Sequence, residues 1–219
     1  MREQMFIIAS NSKLKRMQDK SDKKEFIIKK AFEVFLSKGY ESASMTILHR
    51  ELNISRGAMY RYFPSKDDLF IAVVDKYIFE MLDKFQPNEE TEQLTVAKRI
   101  ELSYSQIQKT AKLFNGIEDI EDRFLNYTAL TIQAAKIYPD FIEKWRTYRG
   151  KSCESWGKTL LKAVNAGEIK PDVDIELLAK FFSKGNNFFE DSEDGSQFFI
   201  KGIKSGKKMI NYIYSLIKV

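Results

Sequence analysis

The sequence predicts an all-α protein, and three observations support this prediction. Only four prolines and ten glycines interrupt the 219 residues. Threonine and valine are too sparse for long alternating strands, so helical spacing dominates the apolar pattern. Residues that cap helices stand before several apolar runs. We expect about nine helices, arranged as a small N-terminal domain followed by a larger helical C-terminal domain.

Length and composition exclude several classes of protein. With 43% hydrophobic and 31% charged residues, the chain is neither disordered nor fibrous. No apolar run approaches the roughly 18 to 20 residues that a membrane-spanning helix needs, so no membrane partner is expected. The single cysteine, Cys153, excludes an intramolecular disulfide and a multi-cysteine metal site. A reducing, cytoplasmic setting fits this composition.

Basic residues are concentrated in the first third of the chain. Residues 1–70 hold 14 Lys and Arg against 9 Asp and Glu, whereas residues 71–219 hold 22 against 22. Clustered cations displace counterions from phosphates, so a nucleic acid is the simplest partner for this end. A solvated charged surface is the alternative that charge balance alone leaves open.

Residues 1–21 are predicted to form a retained basic arm. Lys13, Lys15 and Arg16 follow the short apolar run at residues 5–9, where a signal peptide would have a small-residue cleavage site. The arm could reach the minor groove or adjacent phosphates of DNA. A tail without function is the alternative.

The first helix is predicted from about Asp22 to Lys38. Asp22 and Glu25 form a potential capping box, and Gly39 offers the left-handed residue that ends many helices. The apolar residues of this segment share one face: Ile27, Ile28, Ala31, Val34 and Phe35.

Two short helices joined by a three-residue turn are predicted for residues 45–62. Ser44 can cap the first helix and Ser55 can cap the second, with the turn at residues 52–54. This is the pattern of a helix-turn-helix, whose second helix lies in the major groove of DNA while the first crosses the backbone.

A long helix is predicted from Ser65, which forms a second potential capping box with Asp68, to about Lys84. Because it begins beside the helix-turn-helix and ends at a loop over residues 86–90, we expect it to transmit conformational changes. Further helices are expected near residues 92–114, 117–136, 139–166, 174–189 and 196–217.

The second short helix has one face left for DNA once Ala58 and Met59 are assigned inward. Arginines at positions 56 and 61 can donate bidentately to guanine or phosphate. Glycine at position 57 has no side chain to hinder a close approach of DNA to the helix. Tyrosine hydroxyls and a lysine beyond the helix can add phosphate contacts. The residues of this group are Ser55, Arg56, Gly57, Tyr60, Arg61, Tyr62 and Lys66.

A longer pattern surrounds this helix. It comprises Lys30-Ala31-Phe32, Phe35, Gly39-Tyr40, Ser44-Met45, Leu48, the run Ile54-Ser55-Arg56-Gly57-Ala58-Met59-Tyr60-Arg61-Tyr62-Phe63-Pro64-Ser65-Lys66, and Leu69. The pattern closely resembles the DNA-binding domain of the TetR family of bacterial transcriptional regulators. The resemblance covers about residues 22–70, and residues 54–69 are its most specific part.

The resemblance implies a homodimeric, usually repressing regulator that leaves a palindromic double-stranded operator when a small molecule binds its C-terminal domain. We therefore expect a DNA-binding domain at residues 22–68 and a ligand-binding and dimerisation domain at residues 69–219. The expected DNA contacts are Ser44, Thr46, Ser55, Arg56, Gly57, Tyr60, Arg61, Tyr62 and Lys66.

Two positions depart from the family pattern. Asn53 occupies the turn position that is usually glycine, and asparagine tolerates the left-handed conformation at modest cost. His49 replaces a small alanine, so it either tilts outward towards a phosphate or packs with an altered interhelical angle. We do not expect His49 to bind a metal ion, because the chain has no second histidine.

The C-terminal region is rich in aromatic residues. Most such rings form the core of a helical domain, although a domain with so many can also line a cavity for a hydrophobic or aromatic ligand. Asn126, Gln133 and Cys153 either orient such a ligand or are ordinary packing residues. The ligand-binding candidates are Tyr104, Phe124, Tyr127, Trp145 and Tyr148.

The last two predicted helices carry more apolar residues than one inward stripe needs. An intersubunit four-helix bundle would bury the second face, and a fully buried intrachain helix is the alternative. The dimer-interface candidates are Phe181, Phe182, Phe199, Ile203, Gly206, Ile210 and Ile213.

The sequence contains no Ser/His/Asp grouping, glycine-rich phosphate loop or histidine-carboxylate metal pattern, so neither an enzyme nor a cofactor is expected. The predicted function is a transcriptional repressor released by a small hydrophobic or aromatic ligand. A DNA-binding regulator controlled by a protein partner or by abundance is the alternative. A small-molecule carrier without DNA function is a third, weaker one.

Overall fold

The structure is a computed structural model that describes the backbone of residues 2–111, 120–184 and 198–219. Side chains are described for residues 20–109, 125–184 and 201–219. Within these residues all regular structure is helical, apart from one antiparallel bridge between Ile169 and Lys218. The all-α prediction is therefore confirmed. No described helix combines the length and the apolar character that crossing a membrane requires.

The helices follow the predicted order along the chain, except that a short helix, Glu89–Glu92, lies partly where a loop over residues 86–90 was predicted. A π-helical turn, Asp75–Phe79, joins the helices Lys66–Val74 (α4) and Glu80–Lys84 (α5), so one continuous helical segment occupies the predicted long helix. We call residues 66–84 the connecting helix. The helices are α1 (Arg2–Ser42), α2 (Met45–Glu51), α3 (Arg56–Tyr62), α4 (Lys66–Val74), α5 (Glu80–Lys84), α6 (Glu89–Glu92), α7 (Val96–Ala111), α8 (Ile120–Ile137), α9 (Phe141–Asn165), α10 (Ile175–Lys184) and α11 (Phe198–Ile217).

The first helix begins earlier than the sequence predicted. α1 starts at Arg2 and Asp22 lies inside it, so the predicted start and capping box at Asp22 are wrong. No glycine or proline precedes Gly39, and a residue that can cap a helix does not end one that is already formed. At Gly39 the φ angle is 74° and the ψ angle is 162°, so the helical backbone is interrupted where the sequence predicted its end, with a positive φ but outside the left-handed helical conformation, and helix resumes to Ser42.

Serine caps begin the three helices that follow. Ser44, Ser55 and Ser65 have extended backbones, and each side-chain oxygen accepts a hydrogen bond from the N–H three residues later. The predicted caps are therefore confirmed. At the third cap the Ser65 hydroxyl also donates to the Asp68 carboxylate at 2.6 Å. These local contacts fix where α2, α3 and α4 begin.

The chain divides into two compact units. The first comprises Met1–Glu80 and Asn126–Tyr138, and the second comprises Met81–Leu125 and Pro139–Val219. In the first unit the ring of Phe70 lies edge-on to Phe35 at 5.6 Å between centroids. Both rings are fully buried, so they anchor α4 against α1.

The second half of α8 belongs to the first unit and contacts the π-helical turn there. The Tyr138 hydroxyl donates to Asp75 Oδ1 at 2.6 Å, and the Tyr127 hydroxyl donates to the carbonyl oxygen of Tyr77 at 3.4 Å. Phe32 of α1 stacks on Tyr77 with 3.8 Å between ring centroids. Contacts from two other helices therefore hold a turn whose hydrogen-bond register differs from an α-helix.

The second unit has its own core, formed by α7, α9, α10 and α11. Trp156 stacks on Phe182 at 5.0 Å between ring centroids. The guanidinium group of the buried Arg99 lies over the same Trp156 ring, 4.3 Å from the ring centre. The buried members are Val96, Ile100, Tyr104, Trp156, Leu160, Ala163, Ile169, Ala179, Phe182 and Ile210.

Candidate nucleic-acid interface

The α2–α3 pair is held by buried anchors and a tight turn. Leu48 of α2 and Met59 of α3 are fully buried. In the turn, Asn53 has a φ of 52°, and the Ile54 N–H donates to the His49 carbonyl oxygen at 3.1 Å. Asparagine therefore takes the left-handed conformation that the sequence predicted at this position.

The face of α3 opposite Met59 is exposed. Ser55, Arg56, Gly57, Tyr60 and Arg61 are all exposed, and Ala58 is half-buried. This pattern follows from helical geometry, since residues on the side opposite a buried anchor point towards solvent. The structure thus brings the predicted contacts of α3 together on one surface, which we call the reading face.

Two guanidinium groups of the reading face lie beside tyrosine rings rather than carboxylates. Arg56 lies 5.7 Å from the ring centre of Tyr60, and Arg61 lies 5.4 Å from that of Tyr62. Among the described residues, neither arginine forms an ion pair with an acidic side chain. Their charges are therefore available to an external anion such as a phosphate.

Gly57 leaves a gap in the middle of the reading face. A Cβ atom built on it would meet no other heavy atom within 4 Å. The fold itself therefore does not require glycine here. The missing side chain of Gly57 matters only to a molecule that approaches the reading face from solvent.

Lys66 lies at the edge of this surface and has contacts within the chain. Its ammonium group donates to the Tyr40 carbonyl oxygen at 3.1 Å and lies 3.8 Å from the centre of the Tyr40 ring. The Tyr40 hydroxyl donates to the Asp67 carboxylate, and burial together with this carboxylate raises the pKa of Tyr40. Lys66 thus joins α4 to the end of α1, while its DNA contact stays a prediction.

The remaining predicted DNA contacts surround α3. Ser44 and Thr46 are exposed at the start of α2, and Tyr62 is half-buried at the end of α3. His49 is half-buried and lines a shallow surface depression together with Asn53 and other residues of the turn. Side chains of residues 1–19 lie outside the described residues, so the predicted DNA contact of the arm stays a prediction.

The five aromatic residues predicted for ligand binding are placed in different surroundings. Tyr127 belongs to the first unit, whereas Tyr104, Trp145 and Tyr148 belong to the second. Tyr104 is buried in the core, Trp145 stacks on Phe141 at 5.7 Å, and the Tyr148 hydroxyl donates to Asp83 at 2.6 Å. The side chain of Phe124 lies outside the described residues.

The three residues that could orient a ligand, Asn126, Gln133 and Cys153, also have partners or packing of their own. The Asn126 amide donates to the Leu36 carbonyl oxygen at 3.0 Å, and that of Gln133 donates to Glu41 at 3.4 Å. Cys153 is half-buried against the core of the second unit. These contacts agree with the packing alternative.

The predicted dimer residues divide between the core and the surface. Phe182 and Ile210 are only 4% and 6% exposed, Gly206 is buried, and Ile203 and Ile213 pack against the core. These side chains are therefore largely buried within one chain. Phe181 is 36% exposed, and the side chain of Phe199 lies outside the described residues.

Four apolar residues that the structure exposes on α10 and α11 were not among the dimer-interface candidates, although the sequence predicted a second apolar face on these helices. Leu177, Met209, Tyr212 and Leu216 are between 48% and 63% exposed. The spacing of these residues predicts one exposed face on each helix: Leu177 and Phe181 are four residues apart, and positions 209, 212 and 216 recur at helical intervals. Each helix therefore has an outward apolar stripe in addition to its inward one.

Comparison with known proteins agrees with this geometry. Residues 27–73 match the family model of bacterial regulatory proteins, tetR family. The HTH-type transcriptional regulator YuxN of Bacillus subtilis is 41% identical over 56 residues, which are 26% of this chain and 19% of YuxN. The chain thus spans about a fifth of that relative.

Two other comparisons extend over most of the chain. The HTH-type transcriptional regulator YfiR of Bacillus subtilis is 24% identical over 179 residues, which are 78% of this chain and 79% of YfiR. The crystal structure of a TetR transcription regulator from Haloarcula marismortui matches with a TM-score of 0.61 at 14% identity. That match covers 91% of this chain and 100% of the other, and at this identity it concerns the fold.

Proposed function

We propose that this chain, which belongs to the TetR family of bacterial transcriptional regulators, represses transcription by binding a palindromic operator as a homodimer. Its class, a DNA-binding transcriptional regulator, follows from the family match over residues 27–73 and from the fold. In this proposal residues 22–68 read DNA, residues 69–219 bind ligand and dimerise, and the arm at residues 1–21 adds contacts.

The reading face carries the proposal. Arg56 and Arg61 have no acidic partner among the described residues, and Gly57 between them leaves room for the edge of a base pair or a phosphate. A guanidinium group can donate two parallel hydrogen bonds to guanine or to a phosphate. Exposed hydroxyls at Ser44, Thr46 and Tyr60 can fix the register on the phosphate backbone.

The exposed stripes of α10 and α11 support the homodimer. Leu177 and Phe181 on α10, and Met209, Tyr212 and Leu216 on α11, would leave large apolar surfaces in water in an isolated chain. Pairing the two helices with those of a second copy would bury these stripes in a four-helix bundle. A two-fold axis through that bundle would present two reading faces to two half-sites.

A small hydrophobic or aromatic effector that binds the C-terminal domain would release the operator. The connecting helix is the proposed transmission element, because it begins at the DNA-reading residues and because its π-helical turn accepts hydrogen bonds from Tyr127 of α8 and from Tyr138, the residue directly after α8. Shifting a two-state equilibrium from 1:99 to 99:1 requires about 5.5 kcal/mol of differential ligand affinity. Differential contacts of one small ligand can supply such an energy.

The decisive experiment is selection of bound duplexes from a library of genomic or random DNA by the full-length protein. We expect a palindromic consensus, with affinity falling by about 0.9 log unit per phosphate contact for each tenfold rise in salt. Lys98→Ala, which alters an exposed lysine on α7, is the control and should bind as the parent does. Enrichment of no sequence above background would contradict the proposal.

A further inference from the structure

A surface depression adjoins the reading face at the turn between α2 and α3. Its volume is about 340 Å³, and it is lined by His49, Arg50, Asn53, Ile54 and Ser55. We call it the turn depression. Ser55 lines it and is also the N-cap of α3, so the turn depression and the reading face form one continuous surface. A duplex that contacts Ser55 is therefore also close to His49.

The imidazole ring of His49 has hydrogen-bonding groups that the chain does not use. The backbone of this residue is fixed beside the turn, because its carbonyl oxygen accepts from the Ile54 N–H at 3.1 Å. Its side chain is half-buried, and among the described residues the ring forms neither a hydrogen bond nor an ion pair. An imidazole has one N–H donor when neutral and two when charged. The ring can therefore donate to an acceptor that comes from outside the chain.

Positive charge predominates around the turn depression. Arg50 lines it, and the Glu51 carboxylate is shared between Arg50 and Lys38, at 3.7 Å from each. Four cations and two carboxylates belong to α2, to α3 and to the end of α1 after residue 37. They are Lys38, Glu41, Arg50, Glu51, Arg56 and Arg61. The surroundings of His49 therefore attract an anion such as a phosphate.

A phosphate beside an imidazole couples DNA binding to protonation. Histidine is the side chain whose ordinary charge change falls between pH 5 and pH 8, and His49 is the only histidine of the chain. A negative charge nearby favours the charged form of an imidazole. A complex that holds the additional proton gains affinity as the pH falls, by the same linkage that relates protonation to stability. A contact between His49 and DNA would therefore make the affinity depend on pH.

We propose that the charged imidazole of His49 binds a phosphate of the operator backbone, so that the affinity for DNA rises as the pH falls from about 8 to about 6. The contact rests on the proposed function, because it requires that α3 docks on DNA, and it adds regulation by protons to that function. The first helix of a helix-turn-helix crosses the DNA backbone, which places a residue of α2 near phosphates rather than base edges. His49 would thus change affinity without reading sequence.

Titration of the full-length protein with a fluorescent operator duplex, at about pH 6 and about pH 8, tests this proposal. The duplex is the one obtained by the selection experiment described above. We expect the dimer to bind about tenfold more tightly at the lower pH, or about threefold for each half-site, as for an exposed ion pair. The dependence on salt should also be steeper at the lower pH, by about 0.9 log unit per tenfold change in salt for each additional phosphate contact.

Two substitutions of His49 separate a phosphate contact from a packing role. His49→Gln keeps a hydrogen-bond donor that does not titrate, so its affinities at the two pH values should agree within about twofold. His49→Lys is charged at both values and should bind at about pH 8 as tightly as the parent does at about pH 6. Lys98→Ala, the exposed control on α7, should keep the pH dependence of the parent. Melting curves show whether each variant folds.

Two outcomes would overturn this proposal. One is operator binding by the parent that is equally tight at both pH values, and the other is a pH dependence that folded His49→Gln retains. Both outcomes leave the proposed function standing, because the operator is still bound. Absence of operator binding by the parent at either pH would instead contradict the proposed function, and the His49 contact with it.

Discussion

The arginines of the reading face and the buried arginine of the second unit have the same side chain in contrasting surroundings. Arg56 and Arg61 are exposed, and each lies beside a tyrosine ring. Arg99 is 3% exposed, donates to neutral oxygens of Ser155 and Thr159, and lies over Trp156. In the first case water shields the charge, and in the second the protein itself solvates it.

This difference shows that exposure and partners determine what an arginine does. An exposed guanidinium group without an acidic partner loses little when it leaves water for a phosphate, so it suits binding. A buried one has exchanged its hydration for fixed hydrogen bonds, so removing it leaves several acceptors unsatisfied. Substitution of Arg56 or Arg61 should therefore weaken DNA binding with little loss of stability, whereas substitution of Arg99 should lower stability.

The largest expected effect is on stability at the buried site. Arg99→Ala should lower the free energy of unfolding by about 3 to 5 kcal/mol, because it leaves a void beside Trp156 and unpaired oxygens on Ser155 and Thr159. Urea denaturation of the full-length protein measures this loss. Arg56→Ala is the matched control and should change stability by no more than about 0.5 kcal/mol. Equal losses of unfolding free energy in Arg99→Ala and Arg56→Ala would contradict the contrast between the buried and the exposed arginine.

The next effect is on DNA recognition and concerns the exposed arginines. Arg56→Ala and Arg61→Ala should each cost about 1 to 3 kcal/mol of operator binding and relax the sequence preference if they contact bases. Quantitative titration with the selected operator and with mismatched duplexes measures both quantities. Operator affinity and preference equal to those of the parent would show that another surface reads DNA.

A glycine pair sharpens the comparison between the two units. Cβ atoms built on Gly57 of α3 and on Gly150 of α9 would both meet open space. Substitution by alanine should stabilise either helix by about 0.5 to 1 kcal/mol. Only Gly57→Ala should also weaken operator binding, by about tenfold, because its methyl group would lie between the protein and DNA. Thermal melting and DNA titration measure the two effects, and equal DNA affinity of both variants would place DNA away from α3.

The smallest effect concerns the contact of Tyr138, the residue directly after α8, with the π-helical turn. Tyr138→Phe removes the hydrogen bond to Asp75 and should lower the free energy of unfolding by about 0.5 to 1.5 kcal/mol. Tyr60→Phe, at a position that is 40% exposed on α3, is the matched control in the absence of DNA and should be neutral. Urea denaturation measures both values. A neutral Tyr138→Phe would mean that this contact does not hold the turn.

The local parts of the fold and the reading face could be predicted from the sequence. Ser44, Ser55 and Ser65 accept hydrogen bonds from N–H groups only three residues away, and Asn53 takes the left-handed conformation of the turn. Such contacts depend on neighbours along the chain, so residue type and spacing contain most of the information. Helical periodicity likewise separated buried Met59 from the exposed residues of α3.

The start of α1 and the surroundings of the C-terminal residues could not be predicted in the same way. Asp22 can cap a helix, yet it lies inside α1, because the same residue tolerates a helix interior when no breaker precedes it. Phe181 and Phe182 are adjacent aromatics of one helix, but only Phe182 finds Trp156. Apolar residues on both sides of a helix do not reveal which side meets the core.

The sequence alone therefore determined the helix-turn-helix, its caps and its resemblance to the TetR-family DNA-binding domain, because these depend on short-range contacts and on a compact motif. Only the tertiary structure decided that Tyr127 joins the first unit and that Arg99 is buried in the second. Each of these outcomes depends on residues that are distant along the chain. Burial and hydrogen bonding at such positions arise from packing between helices, which local propensity does not specify.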